Sequence, residues 1–266
     1  MPHLITERRA EVLVVTLNRP EKRNALSWEM LQALDHTLKE AADDQALRAL
    51  ILTGAGEQSF SSGMDLGVLF EHLSSNPSGE KIRRTQRQLQ DLFSRLEELE
   101  KPTIAAIEGS CAGGGLELAL ACDLRVSSNA ARLGFPEAKI GMIPDLGGAS
   151  RLARLVGAGI AKEWIFTGRL YPARRAFELG IVNELVAPGL ALKKALDLAK
   201  ELSASGPLAI AWAKRVVDGG LALSLRDSLA LEQDAMTEIM PSSDLKEGVA
   251  AFLEKRGANF KGNRRD

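Results

Sequence analysis

Four β-rich runs, each separated from the next by a segment of helix length, constrain the fold of this chain more than any other feature. Val12–Leu17 (VLVVTL) is continuous and apolar, stops at Asn18-Arg19-Pro20 and turns through the polar Lys22-Arg23-Asn24. Ser27 then stands at the N-cap position before Met30, Leu31, Leu34 and Leu38, which recur at helical spacing. Leu47–Thr53 is the second run, closed by Gly54-Ala55-Gly56. Ile82, Leu89, Leu92, Phe93, Leu96 and Leu99 then mark an amphipathic helix within Gly79–Lys101. Thr103–Ile107, the third run, enters Gly109-Ser110-Cys111-Ala112-Gly113-Gly114-Gly115; a short apolar helix over Leu116–Ala121 and a fourth run at Asp123–Ser127 follow. Such alternation predicts an α/β core with a mainly parallel sheet, because parallel neighbours need a crossover connection and a helix supplies it. Beyond Gly147 the pattern is mostly helical, with Pro172, Pro188, Pro207 and Pro241 each near a helix start. The expected division is a sheet-based core over 1–200 and a C-terminal helical lobe over 201–266, with no internal repeat legible in the letters.

Composition removes several function classes. Thirty-four Lys and Arg against 35 Asp and Glu leave a net charge of -1, so no broad electrostatic attraction to nucleic acid or anionic membrane is expected. No run approaches the ~20 apolar residues of a membrane helix, and Met1–Arg9 lacks the apolar stretch of a secretory signal; a cytoplasmic protein is expected. Cys111 and Cys122 lie among small apolar residues and read as buried reduced thiols, and neither forms a metal-ligand pair with a nearby histidine. His3, His36 and His72 all fall early in the chain, which limits the acid–base chemistry imidazole can supply.

Gly109-Ser110-Cys111-Ala112-Gly113 fits a thiol version of the nucleophile elbow between strand and helix. The hydrolase order requires a histidine after the nucleophile, and none follows His72, so a tight turn of small residues is the better reading. Neither the dinucleotide G-x-G-x-x-G nor the P-loop spacing is present. What the glycines can offer is free backbone N–H groups at a helix start, suited to a carbonyl oxygen that gains negative charge. Ser59–Asp65 is a second candidate donor segment, although alone it reads as a serine-rich turn. Three acids stand out: Glu117 among Leu and Ala, Glu137 after Phe135-Pro136, and Asp145 after Ile143-Pro144. Burial would raise their pKa values toward the range useful for proton transfer; the plainer roles are helix-dipole partners and, for Asp145, the N-cap of a helix starting near Ala149.

These residues closely resemble the crotonase, or enoyl-CoA hydratase/isomerase, superfamily. The resemblance runs through Leu17-Asn18-Arg19-Pro20 with Asn24-Ala25-Leu26, Phe60–Asp65, Lys101–Ile107, Gly113–Ala119 to Cys122-Asp123, Phe135-Pro136-Glu137 to Gly141–Pro144, Phe166-Thr167-Gly168 and Ala251–Arg256, in the family's order. It implies an α/β spiral of repeated ββα units with a helical C-terminal trimerisation region, assembled as a homotrimer or a dimer of trimers. It implies an acyl-CoA substrate and no metal or redox cofactor, coenzyme A being part of the substrate. By position, the backbone N–H groups of Met64 and Gly114 would form an oxyanion hole. Glu117 would activate water for attack at the β-carbon, and Glu137 would handle the proton at the α-carbon. Lys22, Arg23 and Ala25 would contact the nucleotide end of CoA, with Phe252 and Lys255 closing over it from a neighbouring subunit. The implied activity is enoyl-CoA hydratase. Asp145, where hydratases typically have Gly, leaves an enoyl-CoA or dienoyl-CoA isomerase using Glu137 and Asp145 as the alternative.

Overall fold

The computed structural model describes residues 1–262 of the chain. In order, the elements are β1 (Leu4–Arg9), β2 (Val12–Leu17), α1 (Trp28–Asp43), β3 (Ala49–Gly54), β4 (Ser59–Ser61), α2 (Leu66–Ser74), α3 (Gly79–Glu97), β5 (Thr103–Ile107), β6 (Ser110–Ala112), α4 (Gly114–Leu120), β7 (Leu124–Ser128) and β8 (Arg132–Gly134). There follow α5 (Gly148–Val156), α6 (Ala158–Thr167), β9 (Leu170–Pro172), α7 (Ala173–Glu178), β10 (Glu184–Val186), α8 (Ala191–Ser203), α9 (Pro207–Gly220), α10 (Leu225–Ile239) and α11 (Ser243–Glu254). Two 3-10 turns, Pro20–Lys22 and Pro136–Ile140, carry residues of the site.

The four β-rich runs are β2, β3, β5 and β7, and they lie side by side in a six-stranded sheet of order β1-β2-β3-β5-β7-β10, parallel except for the β1–β2 hairpin. The largely apolar lettering of β2, β3 and β5 follows from burial on both faces. One face meets α1 and α3 through Leu34, Leu38, Phe93 and Leu96; the other meets α8 through Ala191, Ala195 and Ala199, whose small side chains bring the helix close to Val12, Ile51 and Ile104. Ser27 caps α1 as expected, its hydroxyl accepting the Met30 N–H.

A second, four-stranded sheet of order β4-β6-β8-β9 has no counterpart among the strands read run by run, and answers to the repeated ββα units that the family resemblance implies. It resolves the missing repeat: β3, β5 and β7 lie in the large sheet, and each is followed by a three-residue strand, β4, β6 or β8, in the small one. The backbone therefore repeats a ββ-then-helix turn although the letters do not, giving the crotonase-type α/β spiral. Two details differ from expectation. The apolar helix begins at Gly114 and not Leu116, and the N-cap of α5 is Gly147 and not Asp145. The C-terminal helices are tied to the core by ion pairs of α9, Lys214 with Asp123 at 2.9 Å and Arg215 with Glu100 at 2.5 Å.

Candidate active site

The first wall of the site is built where the loop after β2 crosses the segment after β4. Leu26 N–H donates to the Gly63 carbonyl at 2.8 Å, Asp65 N–H to Leu26 at 3.0 Å, and Ser62 N–H to Arg23 at 3.0 Å. Asn24, fully buried with φ 54°, organises the crossing: its side chain accepts from Arg19 N–H at 3.0 Å and donates to the carbonyls of Ala55 and Ser59 at 3.0 and 2.7 Å. Asparagine tolerates this left-handed geometry better than most residues. Arg19 completes the clamp, donating to Asp65 and to the Ala25 carbonyl, both at 2.9 Å. Exposed Lys22 and Arg23 and buried Ala25 are thereby held beside Met64.

Met64 and Gly114 present their backbone N–H groups to one another's neighbourhood. A Cβ on Gly63 would lie 3.0 Å from the Gly114 nitrogen, and one on Gly114 would lie 3.4 Å from the Met64 nitrogen. Each donor follows a glycine of positive φ, Gly63 at 93° and Gly113 at 53°, and this conformation turns the next N–H out of its own strand or helix. Among the described residues neither N–H donates to a protein acceptor. Two unsatisfied donors converging at the start of α4 make a site for a carbonyl oxygen that gains charge.

Carboxylates form the second wall. Glu117, 1% exposed, accepts at Oε1 from Leu146 N–H and Gly148 N–H, both at 2.8 Å. These are the amides at the start of α5, so Glu117 supplies the acceptor there, which explains why Asp145 does not cap the helix. Burial pushes the Glu117 carboxyl up to about 8 against the pull of those two hydrogen bonds, with the charges of Asp145 and Glu137 adding to the rise. Glu137 sits in the Pro136–Ile140 turn, and its Oε1 lies 2.8 Å from where a Cβ on Gly113 would be, so only glycine leaves room for it beside the donor pair. Its Oε2 is buried without a hydrogen-bond partner, and burial followed by the charge of Asp145 raises it to about 7. Asp145 is half-buried and raised by burial, with a Gln86 hydrogen bond opposing; its charge lies close enough to raise both glutamates.

The structure thus gathers Glu117, Glu137, Asp145, Met64 and Gly114 with the Lys22–Ala25 loop alongside. Phe252 and Lys255 are elsewhere, at the exposed C-terminal end of α11, where Phe252 borders an apolar cavity with Leu208 and Phe260. Cys111 and Cys122 are buried free thiols with pKa values pushed up by desolvation, unsuited to nucleophilic attack. No group of three or more His, Cys, Asp or Glu among the described residues could hold a metal ion, and no described helix is long and apolar enough to cross a membrane. The sequence reading missed Asn24 and the Arg19–Asp65 pair as organisers, and the amides of Leu146 and Gly148 as partners of Glu117. Arg19, Asn24 and Asp65 fall within recognisable motifs, but pairing across 46 residues leaves no local signal.

Residues 7–263 match the family model described as enoyl-CoA hydratase/isomerase. The chain is 39% identical over 254 residues to the short-chain-enoyl-CoA hydratase of Clostridium acetobutylicum, covering 96% of this chain and 95% of the relative. It is 36% identical to the crotonyl-CoA hydratase of Syntrophomonas wolfei, covering 97% of each. Among solved structures, the enoyl-CoA hydratase of Bacillus anthracis superposes with a TM-score of 0.91 at 35% identity, over 98% of this chain and all of that one.

Proposed function

The chain belongs to the enoyl-CoA hydratase/isomerase family, and from that premise we propose that it is an enoyl-CoA hydratase, adding water across the double bond of a trans-2-enoyl-CoA. One observation carries the reading: buried Glu117 and half-buried Glu137, with pKa values raised to about 8 and about 7, stand beside a pair of unpartnered backbone donors. Near neutral pH the pair holds roughly one proton between them; the two amides on Glu117 Oε1 favour its ionised form and Glu137 Oε2 has no partner, so the productive form carries the proton on Glu137, a minority beside the form that carries it on Glu117.

The thioester oxygen accepts from Met64 N–H and Gly114 N–H. Glu117, oriented by the Leu146 and Gly148 amides, takes a proton from water as its oxygen bonds to the β-carbon. The π electrons move toward the thioester, and the developing enolate oxygen is held by the two donors, each worth on the order of 3 kcal/mol of barrier. Glu137 then delivers a proton to the α-carbon. The net change is one water added, and exchange with solvent restores the two carboxyls.

Lys22 and Arg23, with the Ala25 backbone, would meet the phosphates and nucleotide of CoA, the exposed cations of Lys22 and Arg23 supporting this. Phe252 and Lys255 would reach that end from a neighbouring copy. Exposed Leu221, Leu225, Met240, Phe252 and Leu253 on and beside the last helices support a homotrimer or a dimer of trimers. A charged thioester substrate and two free buried cysteines fit an aqueous, reducing compartment, the cytoplasm. The second reading, a double-bond isomerase using Glu137 and Asp145, draws on the third acid close to the pair. Parallel assays of 2-enoyl-CoA hydration and 3-enoyl-CoA isomerisation, on short and medium chains, separate the two. Hydration is expected to dominate, and isomerisation with no hydration of either chain length would overturn the proposal.

A further inference from the structure

The loop over 145–148 has two faces, and they are held by different parts of the protein. Its amides face inward: Leu146 N–H and Gly148 N–H both donate to Glu117 at 2.8 Å. Its carbonyls face outward. The Asp145 carbonyl accepts from Gln86 and Gln90 of α3 at 3.2 and 2.7 Å. The Leu146 carbonyl accepts from Arg151 Nη1 at 3.0 Å, and the Gly147 carbonyl from the Arg151 backbone N–H at 2.8 Å. Arg151 therefore grips two successive peptides. Its guanidinium lies directly against the loop, since a Cβ on Gly147, at φ 103°, would come within 2.0 Å of Nη1.

The guanidinium is in turn fixed by Glu97, the last residue of α3, in a two-pronged pair: Nε to Oε1 at 3.0 Å and Nη2 to Oε2 at 2.7 Å. With the Arg151 side chain only 10% exposed, this fork leaves it little freedom to turn. Glu97 and Arg151 lie outside the reacting groups, so the mechanism above makes no use of them.

We propose that Arg151, locked by Glu97, is a positioning residue: it fixes the carbonyl face of the 145–148 loop so that the Leu146 and Gly148 amides hold Glu117 in the orientation needed to activate water. The inference rests on the hydratase reading for its kinetic consequence but not for its structural one. A surface-type ion pair alone would contribute to stability and leave the Glu117 site untouched.

The test uses Arg151→Met, Arg151→Lys and Glu97→Gln in the full chain. Amide hydrogen exchange at Leu146 and Gly148, measured without substrate, is expected to accelerate at least tenfold in Arg151→Met, and less in Glu97→Gln, which keeps one prong. With crotonyl-CoA, kcat is expected to fall about 10- to 100-fold in Arg151→Met with KM within about threefold. The limb of the pH–rate profile that reports Glu117 should move to higher pH, because the two N–H bonds favour the ionised carboxylate and loosening them favours its protonated form. The other groups facing Glu117 are Glu137 and Asp145, which all three variants retain. Arg151→Lys keeps the charge but not the fork, so it should also be impaired; full activity in Arg151→Lys would mean that charge and not positioning matters, and would overturn the proposal. So would unchanged exchange and an unchanged pH profile in Arg151→Met with only a lower melting temperature. If Arg151→Met does not fold, the exchange rates and pH profile of Glu97→Gln decide in the same terms. A parent enzyme that does not hydrate crotonyl-CoA defeats the hydratase reading alone, since the exchange measurement still reports on positioning.

Discussion

Replacing Glu117 by Gln should stabilise the protein at pH 8 while abolishing hydration. Glu117 is 1% exposed and its carboxyl is raised from an ordinary 4.5 to about 8. Between those values the folded state holds a proton that the unfolded chain has released, so stability falls as pH rises through this window. The full rise corresponds to roughly 5 kcal/mol as an upper bound, and relaxation of the site brings a realistic figure to about 2–3 kcal/mol. Gln is nearly isosteric and its amide oxygen can still accept from Leu146 and Gly148, so it removes the ionisation penalty without the packing. At about 2 °C per kcal/mol for a chain of this size, the melting temperature should rise about 4–6 °C at pH 8. The gain should shrink steadily toward pH 4.5, where the parent's Glu117 is protonated in both states. Calorimetry at fixed protein concentration across pH 5–8, with the parent alongside, reads this directly. A Gln variant less stable than the parent at pH 8, or a difference that does not vary with pH, would refute the claim that this carboxyl is desolvated.

The raised glutamates also predict a bell-shaped pH dependence of kcat/KM with its maximum between about 7 and 8: the base is lost below and the acid above. Asp145→Asn removes a charge that raises both, so stopped-flow or steady-state profiles should show the bell displaced to lower pH with hydration retained and any isomerisation reduced. Gly113→Ala would put a Cβ 2.8 Å from Glu137 Oε1 and strain a φ of 53°; a loss of kcat of at least 100-fold on crotonyl-CoA is expected in a protein that still folds. Asn24→Ala abandons three hydrogen bonds of a buried side chain, and urea denaturation should show a loss of about 3 kcal/mol.

What could be read from sequence follows the physics of burial. Strands β2, β3 and β5 are sandwiched between helices and spell out largely apolar runs, whereas β7 (LRVSS) buries Arg125, Ser127 and Ser128, and β1 buries only Leu4 and offers almost no pattern. Strands β4, β6, β8 and β9 are three residues each, too short for any periodicity, so the small sheet left no pattern to read and the ββ repeat was expected from the family resemblance alone. In the site, Glu117 and Glu137 stood out because acids in apolar or proline-framed segments are unusual. Their partners did not: Glu117 meets the Leu146 and Gly148 amides across about thirty residues, and nothing in Pro144-Asp145-Leu146-Gly147-Gly148 announces that its amides are already engaged. That engagement is why a textually sound N-cap at Asp145 gave way to Gly147.

On the proposed mechanism this site adds the elements of water, with Glu117 and Glu137 as the proton-transferring pair. The most direct measurement is mass spectrometry of the product formed from crotonyl-CoA in oxygen-18 water by the parent, Glu117→Gln and Glu137→Gln. The account predicts one labelled oxygen at the β-carbon with the parent and at least a thousandfold slower labelling with either variant. Unlabelled product of unchanged mass from the parent, or equal labelling rates in all three proteins, would contradict it.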